Sequence, residues 1–172
     1  TLPFLDKMIA AGVTVFKIEG RARRPEAVKR IVEVYNEALS GIISGTYTPE
    51  FSEKLTARAV EVFNRGFWEG YYLGSPVVEL SRHYGSAATT RKVYVGKVTN
   101  YFKNVGVAEV RIEASPLEQG ASYVIIGETT GALEGTVTEV RVDERPVNIA
   151  PQGVYCSIPT PAPVRRGDKL YK

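Results

Sequence analysis

The spacing of apolar residues changes once along this chain. As far as about residue 63 they recur every three or four positions, the period of a helix; from Lys92 they alternate, the period of a strand. Leu5, Met8 and Ile9 predict a short helix that Gly12 closes. Val13–Ile18 then alternates: Thr14, Phe16 and Ile18 point one way, and Val15, Lys17, Glu19 and Arg21 the other. That predicts a strand, apolar on one side and charged on the other, feeding into a helix. Pro25 suits the first helical position, and Val28, Ile31, Tyr35, Ala38, Leu39 and Ile42 form the stripe of a helix over 25–42, ended by Gly41 and Gly45. Thr48-Pro49-Glu50 starts a third helix with a capping hydroxyl, and Phe51, Leu55, Ala59, Val62 and Phe63 face its core until Arg65-Gly66 stops it.

The stretch 67–74 sets four aromatic residues among glycines, which suits a packed turn better than a helix; a stacking platform for bases or sugar rings is the sharper alternative. Residues 75–91, with His83, read as a linker. Six alternating segments follow: 93–98, 108–112, 123–126, 138–142, 154–158 and 169–171. Turn signals separate them at Lys103-Asn104, Ser115-Pro116, Gly127 to Gly131, Arg145-Pro146 and Arg166-Gly167-Asp168. Six short strands, each with one apolar face, predict a small closed antiparallel barrel. Gly106 and Gly120 flank its turns and should resist branched side chains. The fold class is therefore α+β, with residues 1–74 as one part, 75–91 as linker and 92–172 as a second domain. One strand between two helices leaves both faces uncovered, so the rest of a parallel sheet or a second subunit must cover it.

Composition changes this picture little. A hydrophobic fraction of 44% and a charged fraction of 24% are those of an ordinary globular chain. No run of about 18 apolar residues predicts a membrane span, and the opening lacks the pattern of a signal peptide. The chain begins Thr1-Leu2-Pro3 without methionine, and reads as a piece of something longer. Charge is more telling. The net charge is +3, yet residues 1–30 hold seven Lys/Arg against three Asp/Glu. Arg21, Arg23, Arg24, Lys29 and Arg30 could meet phosphate or an acidic partner, or form a solvated helix start.

The chemistry-bearing motifs are few. There is no phosphate loop, no dinucleotide fingerprint and no His-Glu-x-x-His, and with one histidine a serine triad has a poor base. The single cysteine, Cys156, lies in an alternating apolar run and reads as a buried structural thiol; it excludes an internal disulfide and a cysteine-built metal cluster within this chain. Lys17, Glu19 and Arg21 form the one cluster placed as a site edge would be, at the carboxyl end of a predicted strand. A surface Lys17–Glu19 ion pair is the bland alternative.

Phe-Lys-Ile-Glu-Gly-Arg (16–21), the proline-started helix with Val-Tyr-x-x-Ala (34–38), and Arg-Gly-Phe-x-x-Gly-Tyr (65–71) resemble peptidase family U32, the collagenase-like proteases. The strand-rich region is similar to that family's C-terminal barrel. Its closing phrases, Gly-Val-Tyr-Cys-Ser-Ile and Val-Arg-Arg-Gly-Asp-Lys-Leu, resemble the barrel behind the nucleotide domain of translation elongation factors. The resemblance implies that residues 13–20 and 25–42 are the last strand and helix of a modified (β/α)8 barrel. Lys17, Glu19 and Arg21 would then be catalytic residues of the full-length parent. Arg23, Arg24, Phe67, Trp68 and Tyr71 are the binding candidates. It implies no cofactor in this chain, and an iron–sulfur cluster or zinc centre upstream of Thr1.

Two functions are open. In the first, the β-barrel is a non-catalytic accessory module of a U32 peptidase and binds substrate or partner. In the second, the parent modifies transfer or ribosomal RNA by hydroxylation, and the barrel and Arg21–Arg30 grip RNA. A structural dimerisation module is a third reading. The expected partners are the missing barrel domain or a second subunit, with peptide or RNA as substrate, no membrane, a homo-oligomeric state and a cytoplasmic setting.

Overall fold

The first helix ends as its sequence directs. In this computed structural model, which describes residues 1–21, 23–62, 67, 70, 72–74 and 88–172, α1 spans Leu5–Ala10 behind a 3-10 turn at Leu2–Phe4. Gly12 takes the left-handed conformation, φ 91°. Its N–H donates to the Ile9 carbonyl at 2.9 Å, and the Val13 N–H donates to Met8 at 3.1 Å. These are the paired reverse bonds of a glycine-capped helix end.

Helix α2 spans Pro25–Ser44 and repeats that ending at Gly45, φ 74°, with N–H bonds from Gly45 to Ile42 and from Thr46 to Gly41. Gly41 therefore does not terminate the helix; it lies buried within it. A Cβ there would stand 2.8 Å from the Phe51 ring, so the glycine is where α3 approaches, a tertiary demand that spacing along one helix does not reveal. Helix α3 spans Pro49–Val60, and the Thr48 hydroxyl accepts the Phe51 N–H at 3.1 Å, as its capping sequence requires. Leu2, Leu5, Val34, Ala38, Leu55 and Ala59 form the core of this part, with Ile31, Tyr35 and Phe51 packed against it. The Tyr47 hydroxyl donates to the Leu2 carbonyl, and Arg58 pairs with Glu37.

The predicted strand Val13–Ile18 is not a strand here. Among the described residues its backbone has no ladder partner, and Val15 is 81% exposed. Alternation alone cannot make a strand, because the ladder hydrogen bonds belong to a pair. Trp68, Tyr71, residues 63–66 and residues 75–87 with His83 lie outside the described residues.

Lys92–Lys172 is a compact unit distinct from Thr1–Arg91. It holds ten strands: β1 Tyr94–Phe102, β2 Val107–Ile112, β3 Leu117–Glu118, β4 Ser122–Gly127, β5 Gly131–Thr136, β6 Val140–Val142, β7 Arg145–Val147, β8 Ile149–Ala150, β9 Tyr155–Pro159 and β10 Lys169–Tyr171. Eight form one antiparallel sheet in the order β5-β4-β10-β1-β2-β9-β6-β7; β3 and β8 pair separately. The expected closed six-stranded barrel is thus corrected to an open eight-stranded sheet with a two-stranded companion. All six expected strands are present, and four more were missed. β5, Gly-Ala-Leu-Glu-Gly-Thr, buries no residue fully and so shows no apolar face to find. β7 was hidden because Arg145-Pro146 reads as a turn. The turn is Asp143-Glu144, both at positive φ (50° and 63°), in the two-residue loop of the β6–β7 hairpin. Gly106 and Gly120 have φ 68° and 85°, the conformation that makes a branched side chain costly there. Val95, Val98, Val110, Ile112, Ile125, Ile158 and Leu170 are fully buried and form the core with Cys156.

Candidate functional site

Two contacts hold segment 13–21 in place. Phe16 packs against the helical core. Gly20 lies so close to α2 that a Cβ would stand 2.8 Å from a methyl group of Val28, a β-branched neighbour that cannot swing aside freely. Between and beyond these anchors Lys17, Glu19 and Arg21 are exposed. The Arg21 N–H donates to Glu19 Oε1 at 2.7 Å, which orients the carboxylate across the glycine. Among the described residues no ion pair joins Lys17 to Glu19, so the structure does not form the pair that the bland reading called for. Arg23 and Arg24 follow in the same exposed run, and Arg24 is the N-cap residue of α2. Cations at the positive end of a helix dipole are unfavourable. The run is therefore an electropositive surface with one oriented carboxylate, able to hold an anion or to present a base beside a cation.

Phe67 is half-exposed and stands apart from that run. It lines a cavity of about 180 Å³ with Thr1, Leu2, Pro3, Ile31, Tyr35, Thr56 and Ala59. At its rim the Thr1 and Tyr35 hydroxyls are hydrogen-bonded at 2.5 Å. Lys17, Glu19 and Arg21 do not line it. Trp68 and Tyr71, the other aromatic candidates, lie outside the described residues.

Sequence reasoning missed a polar groove in the β-unit. It is open, about 890 Å³, and lined by Thr99, Asn100, Tyr101, Glu109, Tyr155, Arg165 and Arg166. The Thr99 hydroxyl donates to Glu109 Oε1 at 2.5 Å, and Arg111 lies over the Tyr155 ring at 5.9 Å. No motif announces it, because its residues come from three strands and a loop whose register spacing does not give. On the same unit, burial and then the neighbouring Glu113 carboxylate push the Tyr94 phenol up to about 12; its O–H donates to Glu113 Oε2 at 2.6 Å.

The described residues do not fit an iron–sulfur or zinc centre. Among them no three His, Cys, Asp or Glu side chains converge. Cys156 is 2% exposed, and burial pushes its thiol up to about 12. Such a thiol is neither a ligand nor a nucleophile at neutral pH. A pH effect follows. Between about 9 and 12 the unfolded thiol is ionised while the folded one keeps its proton, so the native state binds more protons and stability falls as pH rises. Urea unfolding of Cys156→Ala across that window should show a shallower fall than the native chain; equal slopes would place the titration elsewhere.

No helix among the described residues is long and apolar enough to cross a membrane.

Comparison with known proteins bears on the first part and on the whole chain. Residues 1–82 match the model of peptidase family U32. A collagenase of Porphyromonas gingivalis is 46% identical over all 172 residues, which make up 42% of that relative. The chain belongs to peptidase family U32. A further relative, the tRNA hydroxylation protein P of Haemophilus influenzae, is 29% identical over 110 residues, 63% of this chain and 23% of that protein. The solved C-terminal domain of a U32 peptidase from Geobacillus thermoleovorans aligns over 46% of this chain and 99% of that domain, at 13% identity and TM-score 0.45. The U32 chain described here spans less than half the length of these curated relatives.

Proposed function

We propose that this U32 chain is the C-terminal portion of a collagenase-like peptidase. In that reading its first part completes a (β/α)8 active site begun upstream, and its β-unit is a non-catalytic module that holds substrate or partner. The observation that carries it is the 46% identity to a collagenase along the full 172 residues, β-unit included. The exposed, anchored Lys17-Ile18-Glu19-Gly20-Arg21 run suits such a role, because its charged groups face away from the helical core. Segment 13–20 would gain its ladder partners, and Val15 its cover, from the upstream strands. Glu19 would act as base or orienting carboxylate, with Lys17 and Arg21 holding an anionic group. Any metal or cluster would be held upstream.

Peptide release from gelatin by the longer parent tests this, and cleavage is the expected result. A parent that leaves gelatin intact but adds oxygen to a transfer RNA, read by nucleoside mass, would establish the second reading instead. The similarity to a protein named for tRNA hydroxylation favours that reading.

A further inference from the structure

One face of the β-unit carries a row of cations that form no ion pair among the described residues. Lys169 of β10 stands opposite Lys97 of β1, Lys97 opposite Arg111 of β2, and Arg111 opposite Tyr155 of β9. Directly opposed residues share a face, with neighbouring strands about 4.8 Å apart. All four are exposed. Like charges placed opposite one another destabilise a sheet, and each neighbouring pair lies well inside the Debye length of about 8 Å. Two other cations of this unit are paired, Arg141 with Glu139 at 2.7 Å and Lys172 with Glu118 at 3.7 Å. Among the described residues no ion pair reaches Lys97, Arg111 or Lys169. Glu109 and Glu113 flank Arg111 two residues away on the same side of the chain, accepting the Thr99 and Tyr94 hydroxyls; those bonds leave the carboxylates in place, and the cations outnumber them. Tyr155 also lines the 890 Å³ groove, together with Arg165, Arg166 and Glu109.

We propose that this face binds single-stranded nucleic acid, with phosphates along Lys169, Lys97, Arg111 and the Arg165-Arg166 loop and a base stacked on Tyr155. Three opposed cations with Arg165 and Arg166 nearby outnumber Glu109 and Glu113 and suit a polyanion, and the half-exposed Tyr155 ring beside them selects among polyanions. A basic track with an aromatic platform is what a single strand uses, since every base has a face to stack. Arg111 already lies over the Tyr155 ring at 5.9 Å, a contact that a stacked base would extend and an acidic polypeptide would not use. The inference rests on neither reading of the parent's chemistry, because it concerns binding by this chain.

The whole 172-residue chain, titrated against a fluorescein-labelled oligouridylate of about twelve nucleotides and followed by anisotropy, tests it. Binding is expected, weakening about 50-fold between about 50 and 200 mM salt if four phosphates are neutralised. The Lys97→Ala, Arg111→Ala double variant should lower the salt slope by about 1.4. Its melting temperature should hold or rise, because repulsion is relieved. Tyr155→Ala should weaken binding about tenfold and leave the slope unchanged. Lys54→Ala, on α3, should change neither. No binding at the lower salt, an unaffected Tyr155→Ala affinity, or equal displacement by polyglutamate of matched charge would overturn the proposal; the last outcome would assign the face to acidic polypeptides. Gelatin turnover plays no part in these readouts, so the peptidase reading stands or falls separately.

Discussion

Replacing Glu19 by Gln in the longer parent should lower turnover of a gelatin-derived peptide by about 10²- to 10⁴-fold, the range for removing a positioned base. The substitution is well suited to the question. Glu19 Oε1 accepts the Arg21 N–H at 2.7 Å, and a glutamine carbonyl can accept the same bond. Shape and orientation are kept while the charge and the proton-accepting group are lost. The side chain is exposed and outside the helical core, so folding should not change. Thermal unfolding of the variant should therefore match that of the native protein. Unchanged turnover would remove Glu19 from the site. A matched fall in both turnover and melting temperature would make it a structural residue.

Asp168→Ala should cost the β-unit about 3–5 kcal/mol, from two hydrogen bonds to a charged acceptor at roughly 1.5–3 kcal/mol each. Asp168 is one of the few buried polar side chains, 6% exposed. Its Oδ2 accepts the Thr130 hydroxyl at 2.5 Å and the Arg165 N–H at 2.8 Å. One carboxylate thus ties the β4–β5 loop to the loop before β10. Its own carbonyl accepts the Val98 N–H at 2.9 Å, which fixes both loops to β1. At about 4–8 °C per kcal/mol for a unit of this size, the melting transition should fall by roughly 12–40 °C. Gly127 supplies a second test. A Cβ there would lie 1.8 Å from Asp168 Oδ1, so Gly127→Ala must expel the carboxylate. The double variant should then lose little more than either single one, the non-additivity expected of neighbours that share one interaction. Simple additivity, or a shift of a few degrees for Asp168→Ala, would show that the loops do not depend on this carboxylate.

What the sequence discloses depends on where the information for each feature resides. Gly12, Pro25, Gly45 and Thr48 act within a few residues of themselves, and each does what its type and place imply. Gly41 serves α3, ten residues along, and was misread as a stop. The six strands that bury an alternating face are legible; β5 and β7, at the two ends of the sheet, bury little and are not. Val13–Ile18 has the alternation of a strand and no ladder, since pairing is a property of two segments. The same limit applies to sites. Lys17, Glu19 and Arg21 lie close together in sequence and could be named. Lys97, Arg111, Tyr155 and Lys169 are spread over 73 residues and become neighbours only through register.

The two ends of the eight-stranded sheet are unlike. In the β6–β7 hairpin Val142 and Arg145 flank a two-residue turn, so Arg141 and Pro146 form the next, non-hydrogen-bonded pair. The position whose N–H would point outward is therefore occupied by a residue that has none. β5, at the opposite end, contains no proline. Strand addition has one receptive border and one blocked border, so two copies could join β5 to β5, whereas end-to-end propagation into a fibril would stop at Pro146.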